Sequence, residues 1–206
     1  TLDKAQRQPT VTYVNSPPRY IVNWESFEQD GSSWGIFGQM LNTSCAKLGS
    51  EFDVNSHTSG VQRKPDVAAD TNGRFTVVWE SENQDGSSWG VYGQKFSADG
   101  SKDGSEFKFA YSESGQQLSP SITYLKDSGF MVGWESDNVD ESGRAVKYQR
   151  YDAEGAIVGL EFVGNITSAS NQTMPSVVPL GEGYGILWTS EGQDGDKGSI
   201  VGRWFP

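Results

Sequence analysis

Four stretches of the chain gather carboxylates closely enough to do chemistry. Glu25, Glu28 and Asp30 form the first, Glu80, Glu82 and Asp85 the second, Glu135, Asp137, Asp140 and Glu141 the third, and Glu191, Asp194 and Asp196 the fourth. Each stretch follows a tryptophan. Carboxylates and turn carbonyls at this density suit a hard cation such as calcium, which takes roughly six to eight oxygens in flexible geometry. Glu80, Glu82, Asp85, Asp137, Asp140, Asp194 and Asp196 are therefore candidate metal ligands, although their spacing matches no EF-hand and drifts from stretch to stretch. The competing reading is structural: an Asp before Gly closes a turn on its own backbone, and the remaining acids are solvated.

Beside two of these stretches stand Trp34 and Trp89, each just after an Asp-Gly-Ser-Ser loop. A ring at a loop edge offers a flat apolar face to a sugar, and Gln29, Asp30, Gln84 and Asp85 would supply hydrogen bonds to its hydroxyls. Packing between structural units is the alternative role for the two rings. Nucleophilic chemistry has little to build on: His57 is the single histidine and Cys45 the single cysteine, with no base beside it in sequence. Glu80 with Asp85, or Glu135 with Asp140, could form the carboxylate pair of a glycosidase. That chemistry needs two acids in different environments, whereas repetition places equivalent acids in equivalent ones. The chain is accordingly expected not to be an enzyme.

The elements that position these residues come from a unit of about 55 residues written four times. Trp24, Trp79, Trp134 and Trp188 mark the copies, which divide as 6–60, 61–115, 116–170 and 171–206. Each copy opens on a Gln three residues before a Pro: Gln6 and Pro9, Gln62 and Pro65, Gln117 and Pro120, Gln172 and Pro175. Copy two predicts four strands. The first follows Pro65 to Ala69, the second runs from Phe75 to Glu80, the third from Trp89 to Phe96, and the fourth from Glu106 to Phe109. Period-2 alternation puts Phe75, Val77 and Trp79 on one face, and turn signals such as Asn72-Gly73 separate the strands. Four short antiparallel strands in each of four copies predict an all-β fold, a four-bladed β-propeller forming one domain over 1–206. Gln39, Gln94 and Gln149 are expected to be buried and to bond strand edges, and Glu51, Glu106 and Glu161 to act similarly on the fourth strand. The fourth copy stops after its third strand. Thr1 to Ala5 closing that blade as a clasp, a three-stranded blade, or a longer parent array are the alternatives.

Composition narrows the partners. A formal charge of −11 over 206 residues excludes a phosphate-neutralising surface, so nucleic acid is not expected. No apolar run approaches the roughly 20 residues of a membrane span, and membrane insertion is not expected either. Asn42, Asn165 and Asn171 begin N-glycosylation patterns. One cysteine forbids an internal disulfide; Cys45 is either a buried thiol or a handle for an intermolecular bridge.

The run from Trp79 to Phe107 (Trp-Glu-Ser, Gln-Asp-Gly-Ser-Ser, Gly-Val-Tyr-Gly-Gln, Gly-Ser-Glu-Phe) resembles tandem repeats of large secreted and cell-surface proteins of bacteria and ciliates. The resemblance covers nearly the whole chain, strongly in copies one and two and weakly in the others. It implies an extracellular, adhesive or structural role, at a secreted or cell-surface location. Together these readings lead us to expect a non-catalytic, lectin-like module that binds glycans or surface glycoproteins through repeated weak sites. The alternative is a structural spacer, or a unit that polymerises through its unfinished fourth repeat or Cys45.

Overall fold

Strand periodicity in the sequence becomes strands buried on both faces. Phe75, Val77 and Trp79 are fully buried on one side of their strand, and Thr76, Val78 and Glu80 are equally buried on the other. Such a strand is covered on both faces rather than solvated on one. The computed structural model describes residues 4–86, 88–110, 115–140, 143–166, 170–181, 183–193 and 197–206, without the side chains of Asn138 and Asp140. Its fold is all-β, with four consecutive antiparallel sheets, the blades of a four-bladed β-propeller.

Blade 1 comprises β1 (Gln6–Asn15), β2 (Pro18–Phe27), β3 (Trp34–Asn42) and β4 (Lys47–Asp53). Blade 2 comprises β5 (Gln62–Ala69), β6 (Phe75–Glu82), β7 (Trp89–Phe96) and β8 (Lys102–Lys108). Blade 3 comprises β9 (Gln117–Tyr124), β10 (Phe130–Asp140), β11 (Gly143–Tyr151) and β12 (Ile157–Val163). Blade 4 comprises β13 (Gln172–Leu180), β14 (Gly183–Ser190) and β15 (Ser199–Phe205). Within every sheet the spatial order is the chain order. The fourth strand of copy two thus begins at Lys102 rather than Glu106, because Gly104, at φ +73, lets the strand bulge and keep pairing. Ala5 lies outside any clasp on blade 4, since its carbonyl accepts from Phe27 N in blade 1; Thr1 to Asp3 lie outside the described residues.

The chain forms two compact units, Thr1–Ala110 and Tyr111–Pro206. In the first, Val14, Ile21, Ile36 and Val54 of blade 1 pack on Val67, Phe75, Val77 and Trp79 of blade 2. In the second, Met131, Val146 and Tyr148 of blade 3 pack on Val177, Ile186 and Trp188 of blade 4. The seams share one polarity: the tryptophan face of a blade turns back to the blade before it. Arg19 ties the first seam, donating from Nη2 to the carbonyls of Gly73 at 3.0 Å and Ala98 at 2.6 Å.

Two recurring polar devices hold this architecture. Gln39, Gln94 and Gln149 are buried as expected, and each amide nitrogen donates across to the outer strand: to Leu48 O at 3.2 Å, Gly104 O at 3.2 Å and Val158 O at 3.1 Å. Blade 4 has no outer strand among the described residues, and Arg203 takes the Gln position and bonds Gly164 O instead. The second device is a bulge in the first strand of each blade. Gln8, Lys64, Ser119 and Met174, each before a Pro, have φ of 52°, 51°, 50° and 54°. A non-glycine residue there costs about 1–3 kcal/mol, and the gain is an amide turned out of the ladder. Lys64 N donates to Glu25 Oε1 at 2.7 Å, and Met174 N donates to Glu135 Oε1 at 3.0 Å. The glutamate after the marker tryptophan therefore clamps the next blade.

Trp79 is fully buried in the first seam, whereas Leu160 on β12 is 89% exposed. Urea unfolding should show Trp79→Ala losing about 3–5 kcal/mol and Leu160→Ala staying within about 0.5 kcal/mol of the parent.

Candidate functional site in blade 2

The sequence-selected residues are mostly engaged with one another. Trp34 and Trp89 each lie under a guanidinium, Arg7 and Arg63, whose central carbons sit 3.8 Å from the ring centroids. Those arginines are also bonded to the clamp glutamates: Arg7 Nε to Glu25 at 2.5 Å and Arg63 Nε to Glu80 at 2.7 Å. One face of each ring expected to be a sugar platform is therefore stacked on a cation that it helps to aim. This also explains why only two copies carry the second tryptophan. Copy three has Leu118 where Arg7 and Arg63 stand, and its arginine occupies the tryptophan position instead, Arg144, which reaches Glu135 at 3.0 Å. Copy four has Thr173, Gly198 and Thr189 in place of arginine, tryptophan and glutamate.

The described candidate calcium ligands are likewise engaged within the protein. Glu80 meets Arg63 and Lys64, Asp85 meets Lys108, and Asp137 meets Arg144, so each carboxylate already faces a protein cation. Among the described residues no group of three or more acids, histidines or cysteines is placed to hold a metal. Glu82 lies beside Gly60. The side chain of Asp140, and all of Asp194 and Asp196, lie outside the described residues. Asp30 makes the expected turn, accepting from Ser32 N at 3.0 Å, and its other oxygen is buried with no hydrogen-bond partner. Gln29 spans Ser26 and Glu51.

Of the three glycosylation patterns, Asn165 is only 9% exposed, and its oxygen accepts from Val146 N, as Asn55 does for Ile36 N in blade 1. It is a structural asparagine, not an acceptor. Asn171 donates its amide nitrogen to Glu191 at 3.0 Å. Asn42 stands at an exposed turn, accepting from Ser44 N and Ala46 N. In the same turn Cys45, at φ +60, is exposed rather than buried.

What remains is a polar cluster that, among the described residues, blade 2 alone possesses. The pairing of β7 with β8 sets Tyr92 opposite Lys108, and β-alternation puts Glu106 on the same face as Lys108. Lys108 reaches across to Asp85 at 2.5 Å, with side-chain exposures of 19% and 14%. Glu106 receives three neutral donors: Ser56 N at 2.7 Å, His57 N at 3.3 Å and the Gln84 amide. Burial, and then the negative charges of Asp85 and Glu106, push the Tyr92 hydroxyl up to about 12. Burial lowers the affinity of Lys102 for its proton, against the pull of Glu106 and Asp53. Two carboxylates thus act on one phenol, Asp85 in direct contact with the Lys108 ammonium and Glu106 hydrogen-bonded to N–H groups with the Lys102 ammonium acting on it electrostatically.

The other copies break this arrangement. Phe37 and Asp53 hold the positions of Tyr92 and Lys108 in blade 1, and Lys147 and Val163 hold them in blade 3. Sequence reasoning passed over Tyr92 and Lys108 and placed Glu106 with the structural acids. Their signal is the change of residue type at two otherwise aligned positions.

No family profile matches the sequence, and no curated protein sequence matches it. Solved structures do match, over nearly the whole chain. An endo-arabinase from Bacteroides thetaiotaomicron is similar at 14% identity and a TM-score of 0.59, covering 96% of this chain and 74% of its own. An exo-1,5-α-L-arabinanase from a bovine ruminal metagenomic library is similar at 12% identity and a TM-score of 0.60, with coverage of 98% and 74%. An α-L-arabinofuranosidase from Fusarium graminearum is similar at 11% identity and a TM-score of 0.63, with coverage of 98% and 58%. The likeness is one of fold. These neighbours are nonetheless catalysts of glycan cleavage by name, and they overturn the expectation of a non-catalytic adhesion or spacer module and of a chain that is not an enzyme. The physical premise behind that expectation also fails, because Asp85 meets Lys108 whereas its counterpart Asp30 accepts from the amide of Ser32 in its own turn.

Tyr92 provides a pH test with a definite sign. A phenol that holds its proton more tightly when folded contributes stability below about pH 10, and that contribution is lost as pH rises through about 12. Denaturation midpoints should fall across this window, and Tyr92→Phe should make the fall shallower. An equally steep fall in the variant would remove Tyr92 as its source.

Proposed function

We propose that the chain is a glycoside hydrolase whose acid–base pair is Asp85 and Glu106, acting on arabinofuranose-containing polysaccharide. The observation that carries this reading is the pair itself: two carboxylates of blade 2 with different direct partners, Asp85 the Lys108 ammonium and Glu106 the amides of Ser56, His57 and Gln84. Division of labour between a proton donor and a carboxylate requires that inequality. The substrate class is supported by the fold likeness to arabinan-cleaving enzymes over 96–98% of the chain. Lys108 holds Asp85 in place, and Gln84 orients Glu106. Asp85 lies between β6 and β7 and Glu106 on β8, so two separate segments of blade 2 supply the pair. A polysaccharide substrate of this class lies outside the cell, in keeping with a secreted or cell-surface location.

Incubation of the full chain with arabinan, followed by reducing-sugar release, tests the reading. Release is expected, and Asp85→Asn or Glu106→Gln should lower kcat by about 10²–10⁴-fold with unfolding midpoints retained. No release from arabinan or arabinofuranosides, or release unaffected by both substitutions, would contradict it.

A further inference from the structure

The glutamate of the outer strand is held differently in blade 2 than in its neighbours. Glu51, Glu106 and Glu161 occupy equivalent places on β4, β8 and β12. In blade 1 Glu51 meets Lys47 of its own strand at 2.8 Å, and in blade 3 Glu161 meets Lys147 of β11 at 2.6 Å. Both are direct ion pairs. Glu106 instead accepts on Oε2 from the amides of Ser56 and His57, and on Oε1 from the Gln84 side chain.

Lys102 is the blade 2 counterpart of Lys47, each being the first residue of its strand. It points to the same side of the sheet as Lys108, because their ladder partners Phe96 and Tyr92 share one face of β7. Its ammonium reaches the connection between β4 and β5, donating to Ser56 Oγ at 2.9 Å and to the Asn55 carbonyl at 3.4 Å. The Asn55 side chain fixes that connection from the other side: its oxygen accepts from Ile36 N at 2.7 Å and its nitrogen donates to His57 O at 2.9 Å. The connection thus gives two amides to β8 and takes one ammonium from it.

We infer that Lys102 is the positioning residue of Glu106: by holding Ser56 it aims the Ser56 and His57 amides at Oε2 of the carboxylate. This role rests on the acid–base reading of Asp85 and Glu106. Bonds to both oxygens, from the connection on one side and from Gln84 on the other, keep the carboxyl group in a single orientation. Small misplacement of a reacting group lowers the rate of the chemical step. Lys102 therefore acts on turnover rather than on substrate affinity. Copy three has Ile157 at this position and pairs its glutamate with Lys147, so the indirect arrangement belongs to blade 2.

Amide exchange and arabinan kinetics on the full chain test this role separately. In Lys102→Met, a change at a surface position, the Ser56 and His57 amides should exchange about three- to tenfold faster than in the parent. On arabinan, kcat should fall by a similar factor with KM unchanged. Lys102→Arg should keep both properties near the parent, and Lys47→Met, which removes the blade 1 counterpart, should alter neither. Unchanged exchange at Ser56 and His57 in Lys102→Met would overturn the role, whether or not the chain cleaves arabinan. In a chain that does, kcat unchanged in Lys102→Met, or lowered equally by Lys47→Met, would overturn it as well. A parent that releases no sugar, with both amides loosened in Lys102→Met, would refute the hydrolase reading and uphold Lys102 as the residue that positions Glu106.

Discussion

A buried carboxylate that reaches from one blade to the next is the constraint on which the rest of the structure depends. Glu25 is 1% exposed and accepts on one oxygen from Arg7 of its own blade and on the other from the amide of Lys64 in blade 2. Glu135 repeats the arrangement with Arg144 and the amide of Met174. The bulge that presents each amide holds a non-glycine residue at positive φ just before a proline, a conformation that persists only when its surroundings over-determine it. Removing such a carboxylate leaves an amide and a cation without their acceptor, a cost that falls mainly on the amide because the Arg7 side chain is half exposed and water screens it. The apolar seams supply most of the driving force, and the clamp fixes the register at which they meet.

Much of this was legible before any coordinates. The repeat, the copy boundaries at Gln6, Gln62, Gln117 and Gln172, and the second and third strands follow from period-2 alternation and turn residues, which are local signals. The role of Gln39, Gln94 and Gln149 was also readable, because a polar residue repeated inside an apolar strand must find a partner. The arginine–tryptophan stacks were not. Arg7 and Trp34 meet only after β1, β2 and β3 have paired, and copy three achieves the same ion pair with Arg144 from a different strand. Position-by-position comparison therefore sees a missing tryptophan, whereas the structure sees a preserved cation. Asn165 misled for a related reason: an Asn-Ile-Thr string is a modification signal in a loop and a hydrogen-bonding device in a seam, and only burial distinguishes them.

The breaks in the repeat divide into two kinds. Those in copies three and four rearrange or delete the clamp, and they come with changes nearby, as at Arg203, which holds the Gln position of blade 4 and bonds Gly164 O. Those in copy two bring new polar side chains together. Tyr92 and Lys108 replace Phe37 and Asp53 of copy one, and with them Asp85 and Glu106 acquire unlike surroundings. Reading the acids as interchangeable copies led toward a multivalent binding module; the distinct cluster in blade 2 and the fold shared with arabinan-cleaving enzymes lead away from it.

Native-state amide exchange at Lys64, in the parent chain and in Glu25→Ala, tests the clamp most directly. The account predicts that the Lys64 amide is protected in the parent and exchanges about tenfold faster or more in the variant, while the Met174 amide, held by Glu135, keeps its protection. Unchanged protection at Lys64 in a folded Glu25→Ala chain would contradict the account.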